Sequence, residues 1–214
     1  MAAVEEILIA DRADRWSALG FSVEDGVCEI GGIALRFVEG RQGATGILDW
    51  ELSGIASTEL DGLDTRLAVA RDLPDGRTHP NGTAAIDHVV AFSPDLDRTV
   101  RQLEQAGLDL RRIREEPTPA GALRQAFFRL EGVILEVIQQ PDDRPGYDRS
   151  RPARLWGLAL VCADFEALTR CAAGVIKGPR PAVQEGRQIA TVTRAAELAI
   201  PLAFMSGRPG VRRE

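Results

Sequence analysis

Two side chains near the middle of the chain, His88 and Glu136, are the ones whose types and setting could do chemistry. His88 lies in the short valine-rich run of residues 86–92, and Glu136 in the apolar run of residues 132–138. If both runs are strands, alternate residues share a face. His88 then sides with Ile86, Val90 and Phe92, and Glu136 with Ile134 and Ile138. A polar group among apolar neighbours is costly unless it has a partner. An imidazole and a carboxylate facing one hollow could be two ligands of a divalent metal. They could equally be a hydrogen-bonded rim histidine and a solvated strand glutamate, and residue type alone leaves both readings open.

The elements that must position the two are legible around them. The run 86–92 is too short for a buried helix and reads as a strand, closed by Ser93, Pro94 and Asp95. Leu96, Val100 and Leu103 then recur at near-helical spacing, which predicts a helix over 95–105 with these side chains buried. Gly107 supplies its stop. Strand-like runs at 108–113, 123–130 and 132–138 complete the order β-α-β-β-β.

That order, carried by IDHVVAFSPDLDRTVRQLEQAGL and FFRLEGVILEVI, resembles the vicinal oxygen chelate superfamily. The superfamily includes glyoxalase, bleomycin-resistance proteins and extradiol dioxygenases. The likeness is to its uncharacterised glyoxalase-like members and covers residues 84–140. It implies an α+β fold in which repeated βαβββ modules form a curved mixed sheet around a cup, with helices on the convex side. It also implies metal ligands from the first and last strands of each module, here His88 and Glu136. The implied cofactor is a divalent metal (Zn, Fe, Ni or Mn), and the implied partner a small-molecule ligand or substrate. The implied activity is that of a lyase, isomerase or dioxygenase. Metal-free sequestration of the bleomycin-resistance type and a catalytically silent scaffold are the alternatives. No catalytic residue is assigned.

The unit recurs along the chain. In residues 155–206, LWGLALVCADFEALTR aligns with IDHVVAFSPDLDRTVR, GRQIATVT with LRQAFFRL, and IPLAFM with VILEVI. A helix over 164–172, burying Phe165 and Leu168, follows from the match. So does the loss of two ligand positions: Gly157 stands opposite His88 and Ala203 opposite Glu136. Catalytic zinc generally takes three protein ligands. The only other histidine, His79, sits in the turn-like GRTHPNG and reads as a loop residue before it reads as a third ligand. The alignment also sets Arg187 against Arg124 and Gln188 against Gln125. Arg124, Gln184 and Arg187 are thus candidates for holding a substrate's anionic group, since arginine offers a planar donor fork. The simpler reading is exposed strand-edge side chains.

Residues 1–55 read as a short N-terminal βαβββ-like module, with strands at 7–10, 21–23, 33–38 and 46–52 and a helix over 11–19 capped by Asp11. There Glu5 falls opposite His88. Asp49, Trp50 and Glu51 fall near the Glu136 position, with the register open by one residue. Residues 56–83 form a connecting segment in which Leu60, Leu63, Leu67 and Ala70 have helical spacing. Residues 141–154 are a linker rich in Pro, Asp and Arg, and 207–214 a tail with two glycines and a proline. The first module's open edge needs a cover. It should pack onto the main sheet or pair across a homodimer.

Bulk properties exclude other classes. A net charge of −6, with no basic patch among aromatics, argues against a nucleic-acid partner. The arginines at 111, 112 and 114 and at 149–154 are interleaved with acids and read as solvated edges and linker. No phosphate-loop or dinucleotide fingerprint is present, so no nucleotide cofactor is expected. The apolar runs are too short to span a bilayer. Three cysteines without a CxxC, and an acidic start where a signal peptide would be basic, predict buried thiols in a reduced, cytoplasmic setting.

Overall fold

The fold is known from a computed structural model, which describes residues 1–39, 43–69, 78–118, 121–141 and 147–207. The architecture is α+β, with two unclosed sheets in a curved arrangement. The larger sheet holds β6 (Thr83–Phe92), β7 (Asp109–Thr118), β8 (Gly121–Arg129) and β9 (Ile134–Gln139) in one half. The other half holds β10 (Arg154–Cys162), β11 (Ile176–Pro181), β12 (Gln188–Val192) and β13 (Leu202–Ser206). Its order is β11-β12-β13-β10-β6-β9-β8-β7. In each half the first strand lies parallel to the last, and the two first strands, β6 and β10, join the halves antiparallel.

The helices form where the repeat places a cap and an apolar stripe. In α2 (Leu96–Gln105), Asp95 accepts a hydrogen bond from the Arg98 amide. In α3 (Phe165–Cys171), Asp164 accepts from the Glu166 and Ala167 amides. Each carboxylate satisfies amides that the first turn leaves orphaned. Leu96, Val100 and Leu103 are buried as expected, as is Leu168, while Phe165 is partly buried against the same core. The core side of the sheet carries Val89, Ala91, Ala126, Phe128, Leu135, Val137, Leu158 and Leu160.

The smaller sheet has the order β2-β3-β1-β4-β5, built from β1 (Ala3–Ala10), β2 (Val27–Ile30), β3 (Ile33–Phe37), β4 (Gly46–Ser53) and β5 (Thr65–Leu67). Several expectations are corrected here. Residues 21–23 are not a strand; β2 starts at Val27 instead. The helix α1 (Ala13–Ala18) has Arg12 at its N-cap with no side-chain capping bond. Asp11 does not cap it but accepts the Trp16 indole N–H at 3.0 Å and the Ala199 amide at 2.9 Å. Nor does β4 close the first unit as its last strand. It pairs antiparallel to β1, on the side of β1 away from β3, and β3 is the strand parallel to β1. The helix expected around Leu60 to Ala70 is absent among the described residues. Asp61 and Gly62 both hold positive φ (55° and 85°), which breaks a right-handed helix. Leu60 and Leu63 are instead buried anchors of a loop, and residues 65–67 pair as β5 with β4; Ala70 lies outside the described residues.

The smaller sheet packs onto the larger one within the chain, and one apolar cluster runs through both. Trp16 packs on Phe21 (5.2 Å between centroids), which stacks on Phe204 of β13 (6.1 Å). Buried Asp61 bonds Arg98 of α2 at 2.7 Å and accepts the Ala153 amide at 2.8 Å. Cys28 and Cys162 are buried, Cys171 is half-buried, and none forms a disulfide. No helix among the described residues is long and apolar enough to cross a membrane.

Leu103 has no exposed surface, so Leu103→Ala should cost about 2–5 kcal/mol, the range for a cavity left in a packed core. Chemical denaturation of the two proteins measures it. A loss within about 0.5 kcal/mol, the surface range, would place the core on another face of α2.

Candidate functional site

The face of the large sheet opposite the core is polar at its centre, and a single extra residue makes it so. Along β6 and β10, His88 pairs with Ala159 and Ile86 with Leu160, so Asp87 is surplus in the ladder. Such a β-bulge lets two consecutive side chains share a face. Ile86 and Val89 are both buried in the core, so Asp87 and His88 stand together on the other face. The strict alternation expected of this strand, with Ile86 beside His88, is corrected by the bulge.

A chain of polar contacts runs across that face. His88 Nδ1 lies 2.9 Å from Asp87 Oδ2, and His88 Nε2 lies 3.5 Å from Glu136 Oε2. Glu136 Oε1 accepts from the Gln125 side-chain amide at 2.5 Å. On the other flank, Arg187 donates to Asp87 Oδ1 at 2.7 Å, to the Ser206 carbonyl at 2.8 Å and to Gln184 Oε1 at 2.5 Å. The Arg187 side chain is only 2% exposed and that of Asp87 10%. Burial alone would push the Asp87 carboxyl up; the hydrogen bonds from His88 and Arg187 outweigh it and hold it down at about 2. His88 and Glu136 keep 17% and 14% of their side-chain surface exposed. They are the part of the chain of contacts that a ligand can reach.

The structure brings His88, Glu136, Gln184 and Arg187 into this one network and leaves Arg124 out. Arg124 bonds Asp97 of α2 at 2.8 Å and lies 3.3 Å from Glu115, on the helix side of the sheet. The repeat alignment slips by one residue here. Ala126 and Ala190, both buried, are the equivalent positions in β8 and β12, so Arg187 and Arg124 fall on opposite faces. Arg187 has its three kinds of N–H committed to protein acceptors and serves as the clamp on Asp87.

His79 is placed elsewhere. It is 4% exposed, accepts the Ser22 amide on Nδ1 at 3.1 Å and lies 2.9 Å through Nε2 from the Glu29 carbonyl. It ties the turns of the smaller sheet together and is no third ligand.

The smaller sheet shows what the same positions become with other residues. In β1, Glu5 is the surplus residue, between Val4 paired with Leu52 and Glu6 paired with Glu51. The expected match of Glu5 to His88 is therefore corrected by one: Glu5 takes the place of Asp87, and Glu6 that of His88. The registers β1/β3 and β4/β5 then put Arg36 and Arg66 where Glu136 and Ala203 stand, and Asp49 where Gly157 stands. These four neutralise one another. Arg36 grips Glu6 through bonds of 3.0 and 2.9 Å, and Arg66 reaches Asp49 at 2.8 Å and Glu6 at 3.6 Å. Burial would raise the Glu6 carboxyl, but Arg36 and Arg66 together hold it below the usual range.

Asp87 escaped the sequence reading, and Gln125 entered it only as the repeat partner of Gln188. A signal for Asp87 exists: two adjacent polar residues between two apolar ones, as in Ile86-Asp87-His88-Val89, recur as Val4-Glu5-Glu6-Ile7.

The carboxyl of Asp87 titrates near 2 when folded and near about 3.9 when unfolded. It therefore adds stability above about pH 4 that is lost as the pH falls towards 2. Denaturation midpoints over that window should fall less steeply for Asp87→Asn than for the parent. Arg187→Met, which leaves the buried carboxylate without its clamp, should cost about 3–5 kcal/mol at pH 7.

No protein-family profile matches the sequence, and no curated protein does. Solved structures do. A triple mutant of 4-hydroxymandelate synthase from Streptomyces coelicolor superposes with a TM-score of 0.66 at 14% identity, over 99% of this chain and 94% of that one. A xylose isomerase-like TIM barrel/4-hydroxyphenylpyruvate dioxygenase fusion protein gives 0.59 at 13% identity, over 99% of this chain and 50% of that longer one. Methylmalonyl-CoA epimerase from Mycobacterium tuberculosis gives 0.46 at 15% identity, over 60% of this chain and 91% of that one. The chain has the vicinal oxygen chelate fold.

Proposed function

We propose that the protein binds a small molecule on the His88 face, where His88 and Glu136 form a weak, two-donor site for a divalent cation. The observation that carries the reading is the setting of the imidazole. With its Nδ1 proton directed to Asp87, its Nε2 lone pair faces a carboxylate oxygen 3.5 Å away, too far for a good hydrogen bond. Two acceptors facing across such a gap suit a cation between them. Ligands about 2.1 Å from a tetrahedral ion stand about 3.4 Å from each other, so the separation fits.

The rest of the network prepares that pair. Asp87 fixes the tautomer and orientation of the ring, the role carboxylates commonly play behind metal-bound histidines. Gln125, by bonding Glu136 Oε1, leaves Oε2 turned to His88. Arg187 keeps Asp87 charged and in place. A divalent ion held there would supply Lewis-acid polarisation of the oxygens of a bound molecule. The chain itself orients the donors and limits the approach of water from the core side. Among the described residues no group of three or more His, Cys, Asp or Glu is gathered for a metal, so the expected affinity is weak.

A second reading, metal-free sequestration, is favoured by one observation. A Cβ on Gly157 would meet the Pro201 carbonyl oxygen at 2.7 Å, so the His88-equivalent position in β10 cannot take a ligand side chain without moving backbone. Calorimetric titration of tag-free protein with Zn²⁺, Mn²⁺, Ni²⁺ and Fe²⁺ tests both. Weak binding of at least one ion, reduced roughly tenfold or more in His88→Ala and in Glu136→Ala, supports the two-donor site. Binding undiminished in both variants sinks it, and no uptake by the parent protein leaves the sequestering reading.

A further inference from the structure

We infer that the flank of the His88 face formed by Arg129 and Arg112 takes an oxyanion, a carboxylate or phosphate group of the bound small molecule. The inference rests on the proposed binding at that face and adds the class of ligand. Its basis is the register of four strands. One row across the sheet reads His88, Ile134, Arg129, and the next reads Val90, Glu136, Phe127, Arg112. Neighbouring strands are about 4.8 Å apart, so the Arg129 backbone stands about 10 Å from that of His88, within reach of an arginine side chain and a small ligand between them.

The side chains agree with the register. Arg129 and Arg111 line one cavity of about 560 Å³ together with Asp87 and Ile134. Arg111 is itself a surplus residue, between Leu110 paired with Phe128 and Arg112 paired with Phe127, so a bulge in β7 sets two arginines on one face. The Arg112 guanidinium lies 4.6 Å over the Phe127 ring, beside Glu136 in the same row. Among the described residues neither Arg112 nor Arg129 has a carboxylate within ion-pair distance, although Asp109 is the cross-strand neighbour of Arg129; Arg111 is paired with that Asp109 at 3.4 Å, Arg114 with Glu116 and Arg124 with Asp97. Asp87, the nearest acid in the cavity, is already held by Arg187. In a chain of net charge −6, two arginines on one face with no carboxylate within ion-pair distance form a local anion trap. Their forked donors match a planar carboxylate or a phosphate.

The test uses chelator-treated full-length protein, so that the anion arm is independent of any metal. Malonate and inorganic phosphate are titrated calorimetrically, with malonamide as the uncharged counterpart. At least one anion should bind at concentrations up to about 10 mM while malonamide does not. Affinity should fall about tenfold or more in Arg129→Gln or Arg112→Gln, and be unchanged in Arg124→Gln on the other face. Stronger binding of malonate points to a carboxylate ligand, and of phosphate to a phosphorylated one. If neither anion binds the parent protein, or if Arg129→Gln and Arg112→Gln both bind as it does, the inference fails. Metal titration of Arg129→Gln separates the two claims, because it should match the parent protein whichever way the anion arm turns out.

Discussion

One extra residue in β6 is the constraint on which the polar face depends. Without it, Asp87 would point into the core among Val89, Leu135 and Leu160, where a carboxylate could not stay charged. With it, Asp87 and His88 lie side by side, and a buried acid becomes tolerable because Arg187 arrives from the far half of the sheet. The clamp therefore joins residues 100 positions apart in sequence. It couples the geometry of the imidazole to the docking of β12 and β13 beside β10.

The bulge is a property of the fold before it is a property of the site. It recurs at Trp156 in β10, at Glu5 in β1 and, on β4, between the partners of Leu8 and Ile9. Where two first strands meet antiparallel, each carries such a surplus residue opposite the other's regular stretch, and β6 has a further one at Ala84 near its start. The backbone thus offers the same pair of adjacent side chains four times, and the sequence fills each differently. In the smaller sheet the four ligand-like positions hold Glu6, Arg36, Asp49 and Arg66, which satisfy one another. In the larger sheet they hold His88, Glu136, Gly157 and Ala203. No arginine stands among these four to neutralise Glu136, and that asymmetry is why the larger sheet is the functional candidate.

The features that depend on short-range periodicity were legible in the sequence. The helix starts near Asp95 and Asp164, the buried stripe of α2 and the strands carrying His88 and Glu136 all follow from short-range spacing and the repeat. At the candidate site, where the reading failed, the cause was a single residue of register. A one-residue shift in the repeat put Arg124 beside Arg187 on paper and on the opposite face in the fold. Another put Glu5 for Glu6. Periodicity carries no record of a surplus residue, because the bulge shows only when a partner strand is laid against it. The Leu60, Leu63, Leu67 spacing misled for another reason: Leu60 and Leu63 are buried by a loop that Asp61 and Gly62 turn left-handed, not by a helix, and Leu67 is an exposed residue of β5.

The two empty positions bear on how the face could work. At Gly157 the Pro201 carbonyl comes too close for any side chain, while the Leu158 amide donates to that same carbonyl at 3.1 Å. The glycine is thus fixed by the approach of the chain leading into β13, and a ligand side chain there would cost that contact. Packing closes one of the two empty positions, and the other, Ala203, carries no donor in this sequence. A cation held by only two protein groups must complete its shell from water or from the bound molecule, which makes its affinity depend on what else occupies the face. Arginines flanking the pair would bring anionic oxygens to the same place. On that arrangement the small molecule is part of the site it binds to, and binding of cation and anion should each strengthen the other by the same factor.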